Sequence, residues 1–379
     1  MRCLARIDHQ EVKQQTGADS LPSQDAREAE QYVQHLSGVR LRSRGLRCAR
    51  VLAGIAALAL PAAAIPDAAG GGAASRQAYG DAWWTGPIVA ASAATMPRGH
   101  LLIQPYLYDV RSYGSFDRED MLHHASGPHD VHSLTYILYG LSDRFSVGLI
   151  PQFGLAAGDP ATRRSASAVG DLNLHAHYRL HAFEEGQWLP TTSLVLEEML
   201  PTGRYDRLGT NPGDGLGGGH YTSTLSVYMQ RYFWTPNGRI VRTRLDISYS
   251  HSSRAHLEDA SVYGTAQGFR GFADSGDGFV ADLAWEYSAT QRWVVALDVN
   301  YERDASTRIA GSYPAPVGNG PGRGNIEQSS GPSAAIALAP AIEYNWSGRF
   351  GVIAGVKLSV QGRNTAAYAI PVVALNMVF

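Results

Sequence analysis

From His100 to Phe379 the chain alternates apolar and polar side chains with a period of two, segment after segment, and that period belongs to β-strands. One segment, 291–303, sets Trp293, Val295, Leu297, Val299 and Tyr301 against Ala296, Asp298, Asn300 and Glu302. Its predecessor, 278–288, sets Phe279, Ala281, Leu283, Trp285 and Tyr287 against Asp282 and Glu286, and 239–251 sets Val241, Leu245, Ile247 and Tyr249 against Arg242, Arg244, Asp246 and Ser248. The pattern predicts twelve strands, over 99–110, 130–141, 144–153, 170–181, 187–200, 220–233, 239–251, 278–288, 291–303, 333–346, 349–361 and 367–379. Aromatic residues recur at the strand ends with aliphatic ones between them, as expected where a barrel wall crosses the two interfaces of a bilayer. A soluble sandwich also alternates, but its polar face meets bulk water and needs no aromatic belts.

The connections sharpen this reading. Ser142-Asp143, Phe183–Gly186, Thr235–Gly238, Ala289-Thr290 and Ser347-Gly348 are short, whereas 111–129, 154–169, 201–219, 252–277 and 304–332 are long and rich in Gly, Ser, Asp and Arg, and only 362–366 is brief among them. Short periplasmic turns alternating with long external loops on an even number of strands describe an all-β fold: a transmembrane antiparallel up-and-down β-barrel of about 12 strands. A hydropathy scan alone would miss it. The chain has no apolar run long enough for a spanning helix, and barrels average to neutral hydropathy because their two faces alternate.

Ahead of the barrel, Val39–Arg50 carries five arginines and no acid, runs into the apolar Val51–Leu60, and leaves through Pro61-Ala62-Ala63-Ala64. A basic region, a short apolar core and small residues make a secretory signal at 39–64. Residues 1–38 are polar and lack a core pattern, and the expectation is that they are a non-native or disordered extension, with the true start near Val39; N-terminal sequencing of the precursor that found them would contradict this. The division expected is therefore 1–38, the signal 39–64, a periplasmic segment 65–98 and the barrel 99–379. Cys3 and Cys48 both precede the expected cleavage, which leaves the mature chain without a disulfide framework or a lipid-anchored cysteine.

If the apolar faces meet lipid, the opposite faces line the lumen. That set includes Gln104, Tyr106 and Tyr108 on the first strand, His175, His177 and Arg179 on the fourth, and Arg242, Arg244, Asp246, Asp282, Glu286, Asp298, Glu302 and Lys357 further on. Arginines of the seventh strand beside acids of the eighth and ninth predict a cross-strand ion-pair network. It either holds the wall and fills part of the bore, as buried charges need partners whatever the function, or also tunes passage of a solute. Leu102, Tyr106 and Tyr108 would suit an aromatic one. His123, His124, His129 and His132 cluster around the first external loop, but no histidine spacing matches an established zinc pattern, so no metal and no cofactor is expected. No Gly-x-Ser-x-Gly elbow appears and no Ser–His pair falls on the lipid face, so no catalytic residue is assigned. The net charge of -2 gives no reason to expect nucleic acid.

Two stretches carry a family resemblance. Asp81–Tyr108 (DAWWTGPIVAASAATMPRGHLLIQPYLY) and Glu198–Trp234, with Leu200-Pro201-Thr202-Gly203-Arg204-Tyr205-Asp206 within it, resemble the outer-membrane proteins of the MetA-pathway of phenol degradation family. The resemblance implies a bacterial outer-membrane barrel that helps small, often aromatic or hydrophobic compounds into the cell, and it transfers no binding residues. The last strand, ending at Phe379, resembles the signal read by the barrel assembly machinery. The expected partners are thus outer-membrane lipid, that machinery and a small solute. Two alternatives stay open: a structural or adhesive barrel without transport, and an outer-membrane lipid-modifying enzyme.

Overall fold

Twelve antiparallel strands close on themselves in chain order. In this computed structural model residues 76–125, 127, 129–155, 168–209, 214–314 and 324–379 are described; the extension 1–38, the signal 39–64 and the first part of 65–98 lie outside them. The strands are β1 (Leu101–Phe116), β2 (His129–Ser142), β3 (Phe145–Ile150, continued by Gln152–Leu155), β4 (Leu172–His181), β5 (Thr191–Leu200) and β6 (Thr222–Trp234). They continue as β7 (Ile240–Ser252), β8 (Gly278–Ser288), β9 (Trp293–Asp304), β10 (Ser333–Ser347), β11 (Phe350–Arg363) and β12 (Thr365–Val378). Closure comes from β1, which pairs with β2 on one side, Tyr106 opposite Leu134, and with β12 on the other, Tyr106 opposite Ala374.

Closure satisfies the backbone. A strand in hydrocarbon has no water to receive its N–H and C=O groups, so an open edge there would cost several kcal/mol per orphaned group. The exposed face confirms where lipid lies. Leu107, Leu149, Leu174, Leu196, Leu225, Ile247, Leu297, Ile342, Val373 and Leu375 all point outward into an apolar belt far larger than a soluble protein leaves uncovered. At the turn end of β9, β10 and β11 the rings of Trp293, Tyr344, Trp346 and Phe350 follow one another at 4.7, 5.2 and 4.7 Å, forming part of the aromatic girdle. Because Leu297 faces lipid, Leu297→Arg is expected to cost about 2–4 kcal/mol if it lies near the bilayer midplane. Guanidinium unfolding of the refolded barrel in lipid checks this.

Several strands depart from the bounds that alternation predicts. β1 runs on to Phe116, where Gly114–Phe116 pair with the short strand Leu122–His124 and with Thr365–Ala367 of β12. Pro151 lacks an N–H and splits β3. β5 starts only after Pro190. Between β11 and β12 a single residue, Asn364, makes the turn.

The larger departure lies outside the membrane. Loops 252–277 and 304–332, expected as long external loops, contribute Arg254–Glu258, Arg270–Asp274, Arg308–Ser312 and Asn325–Ser329 to a second, four-stranded antiparallel sheet. Its buried side, Ala255, Leu257, Phe269, Ala273 and Ile309, packs against Tyr205, Tyr263 and Tyr313. Burial there pushes the Tyr263 phenol up to about 12. These strands are five residues long and carry few apolar positions each, too short for periodicity to stand out.

Candidate functional site

The lumen is occupied by the chain itself. Residues 76–98, ahead of β1, enter the barrel at the end of the short turns and cross from the β6–β7 turn to β3, with 82–95 buried or half-buried and 78–81 and 97–98 exposed. Gln77 accepts and donates at Gly238, Ile240 and Ser288, with Gln77 N to Gly238 O at 2.9 Å. At the far side Met96 N reaches Ser146 Oγ at 2.9 Å, and Thr95 Oγ1 donates to the Asp143 carbonyl at 2.7 Å. Toward the far side the side chains are small (Ala90, Ala91, Ser92, Ala93, Ala94), which brings the main chain close to the wall there. Gly355 on β11 makes room for Ile88, since a Cβ there would stand 2.6 Å from the Ile88 Cδ1.

A main chain inside a barrel needs partners for its N–H groups, and here buried carboxylates supply them. Glu343 Oε2 accepts from Thr85 N at 2.6 Å and Gly86 N at 3.2 Å. The Asp298 carboxylate accepts from Ile88, Val89 and Ala90 N, the last at 3.0 Å. Asp246 Oδ2 accepts from Ala91 N at 2.6 Å. In the other sense, Arg244 Nη1 donates to the Ala90 carbonyl at 3.0 Å and Ser193 Oγ to the Ala93 carbonyl at 2.6 Å. Ala90 and Ala93 are 2% and 0% exposed, so the plug is packed and not merely resting in the opening.

Behind the plug sits the ion-pair network. Glu286 is fully buried on β8 and takes both Arg242 Nε at 2.6 Å and Arg244 Nε at 3.0 Å from β7. Arg242 also lies 4.4 Å over the Trp84 ring, which ties the cluster to the plug a second time. Asn300 donates to Asp282 at 2.7 Å, and Lys357 on β11 pairs with Glu302 on β9. Charge is thus gathered on β7 to β11.

The adjoining arc is apolar. Tyr106 and Tyr108 stack at 5.6 Å, and Tyr136 meets Tyr106 edge-on at 5.8 Å. They join Leu134, Ile150, Ile353, Ile370, Val372 and the plug residue Ile88 in one buried cluster. The lumen therefore has an aromatic and aliphatic face on β1, β2 and β12, extended by Ile150 of β3 and Ile353 of β11.

The residues singled out from sequence fall into groups. Arg242, Arg244 and Glu286 come together, Asp246 and Asp298 hold the plug, and Glu302 pairs with Lys357. Asp282 holds Asn300. Tyr106 and Tyr108 join the aromatic face, with Gln104 half-buried opposite Tyr136 in the register. His175 and His177 are buried, His175 bonding Glu197 at 2.9 Å, while Arg179 is half-buried nearer the turn end of β4. Of the loop histidines, His123 binds Asp117 at 2.6 Å and His129 binds Asp109. Sequence reasoning missed the plug contacts. A run of small residues recognised through its backbone has no periodicity and no side-chain signature.

The external rim is fastened by the stretch that carries the family resemblance. Asp171, beside β4, accepts from Gly203 N at 2.8 Å and Gly218 N at 2.7 Å, clamping both ends of the third external loop. There the two legs of the loop touch: a Cβ on Gly217 would stand 2.3 Å from Gly203 O. Gly217→Ala is expected to cost about 1–3 kcal/mol through this overpacking. Faster limited proteolysis near Arg204 and Arg207 in an otherwise folded barrel is the expected readout.

Comparison with known proteins adds the fold. No family model matches the chain, and no curated protein matches it. Among solved structures, an outer membrane channel from Pseudomonas putida F1 superposes with a TM-score of 0.57 at 13% identity, covering 77% of this chain and 100% of that one. The two chains share a fold. The toluene transporter TodX of P. putida gives a TM-score of 0.35 at 12% identity over 79% of this chain and 95% of that one, too distant to bear on fold or function.

Proposed function

We propose that this protein is an outer-membrane channel that admits small, aromatic or hydrophobic molecules. The observation that carries the reading is the divided lumen: an aromatic and aliphatic cluster, Tyr106, Tyr108, Tyr136, Leu134, Ile370 and Val372, covered by the plug at Ile88, lies beside a charged arc whose groups are already paired to one another or to the plug. Paired charges offer little to a polar solute, whereas an apolar face favours a solute that sheds its hydration cheaply. The fold shared with a protein that is an outer membrane channel agrees with this. The resemblance of Asp81–Tyr108 and Glu198–Trp234 to the MetA-pathway of phenol degradation family points the same way.

In this reading the leader at 39–64 exports the chain and is removed, the remainder of 65–98 supplies the plug, and the final strand engages the assembly machinery. The lumen residues named from sequence then divide their labour, with Tyr106 and Tyr108 meeting the solute and Asp246, Asp298, Arg242, Arg244 and Glu286 holding the plug.

Cells that express the barrel are expected to take up a radiolabelled monocyclic aromatic hydrocarbon several-fold faster than cells without it, with no gain for a sugar of similar size. Equal rates with and without the barrel would refute a channel. The four-stranded external sheet favours a second reading, an adhesive barrel, and surface binding that persists with no uptake difference would support that one.

A further inference from the structure

Alternation along β4 places Asn173, His175 and His177 on its inward face, and all three carry a buried polar atom with no hydrogen-bond partner: Asn173 Oδ1, His175 Nε2 and His177 Nε2. The two histidines are 6% and 4% exposed, and their rings stand 5.9 Å apart with planes at 84°. Leaving buried acceptors unmatched is costly, so a group of them on one face calls for a ligand.

The other ring nitrogens decide which ligand. His175 Nδ1 lies 2.9 Å from Glu197 Oε1, and a carboxylate only accepts, so the proton sits on Nδ1. His177 hydrogen-bonds the backbone of Ala93; with its Nε2 unpartnered, that bond runs through Nδ1 to the carbonyl, which also only accepts. In the neutral rings both Nε2 atoms therefore present bare lone pairs. A carboxylate or carbonyl fixing Nδ1–H while Nε2 is left free is the outer-shell arrangement that orients metal-binding histidines. Opposite the two rings in the register of β3 stand the small residues Gly148 and Ser146.

We propose that His175 and His177 bind a borderline divalent transition metal, of the Zn²⁺, Cu²⁺ or Ni²⁺ class, inside the barrel next to the plug. Neutral imidazole suits these ions and not Mg²⁺ or Ca²⁺. Asn173 Oδ1 is a third, weaker donor on the same face. Among the described residues no three histidine, cysteine or carboxylate side chains are placed to hold a metal ion together, so the protein supplies two nitrogens and leaves the remaining positions to solvent or to a donor atom of a solute. Because Ala93 belongs to the plug and sets the His177 tautomer, the site is complete only with the plug seated. By linkage, the metal then favours the plugged barrel.

The test is calorimetric titration of the refolded barrel with Zn²⁺, with Mg²⁺ as the control and gel migration of the unheated sample as the check on folding. The expected results are Zn²⁺ binding without Mg²⁺ binding, loss of one equivalent in His175→Ala/His177→Ala, and roughly 10- to 100-fold weaker binding in Glu197→Gln. Cu²⁺ in the wild type should give an electron-spin spectrum with two imidazole nitrogens on the ion, a readout that does not depend on any variant folding. Unchanged stoichiometry in the double variant would assign binding to exposed histidines such as His123 and His251 and overturn the proposal, as would no Zn²⁺ binding by the wild type.

Discussion

Removing residues 76–96 is expected to turn a tight barrel into an open one, with single-channel conductance rising on the order of tenfold in planar bilayers. Wall positions facing the plug are polar, so water can take its place: Asp246, Asp298 and Glu343 would exchange main-chain amides for solvent once the lumen floods. The barrel itself should persist. Its twelve strands pair with one another and not with the plug, and β1 still closes on β12. Unchanged conductance in the truncated, folded protein would mean that the constriction lies elsewhere, at the aromatic face or the external loops.

The largest single-residue effect on stability is expected at Glu286. Its carboxylate is fully buried and answers two buried guanidinium groups, Arg242 and Arg244. Glu286→Ala strips both cations of their hydrogen-bonded ion-pair partner, a change that costs about 3–5 kcal/mol where a buried pair is broken from one side. Replacing all three with apolar residues should cost far less, since no charge is then stranded. Guanidinium unfolding in lipid separates the two cases. A loss for Glu286→Ala no greater than for the triple variant would show that the cluster is wet and that its charges do not depend on one another.

The wall was legible because its cause is local. Period two in Trp293 to Tyr301 or Phe279 to Tyr287 follows from lipid on one side and lumen on the other, and each residue reports its own face. The same rule put Arg242, Arg244 and Glu286 on one surface, and adjacency of their strands did the rest. What was not legible depends on contacts that alternation does not encode. The carboxylates meet the plug through backbone amides between Thr85 and Ala91, and an amide is the same whatever side chain it carries. Only the carboxylates that receive them, Asp246, Asp298 and Glu343, left a trace, as more acids on β7, β9 and β10 than the arginines could match. The external sheet was hidden for a different reason: Arg254–Glu258 and Asn325–Ser329 are distant in sequence and form one layer only through Arg270–Asp274 and Arg308–Ser312. His175 and His177 were visible as a pair on one face. That their Nδ1 atoms are both held by acceptors could be seen only once Glu197 and Ala93 were placed beside them.

In the proposed function an apolar solute passes along the aromatic face of the lumen. That passage is tested most directly by placing a carboxylate on that face, with Tyr106→Asp and Tyr136→Asp each expressed to the same level of folded barrel as the wild type. Uptake of a radiolabelled monocyclic aromatic hydrocarbon is then measured in whole cells. Passage along Tyr106, Tyr108 and Tyr136 predicts that both variants fall to the rate of cells lacking the barrel. Wild-type uptake in both folded variants would contradict it.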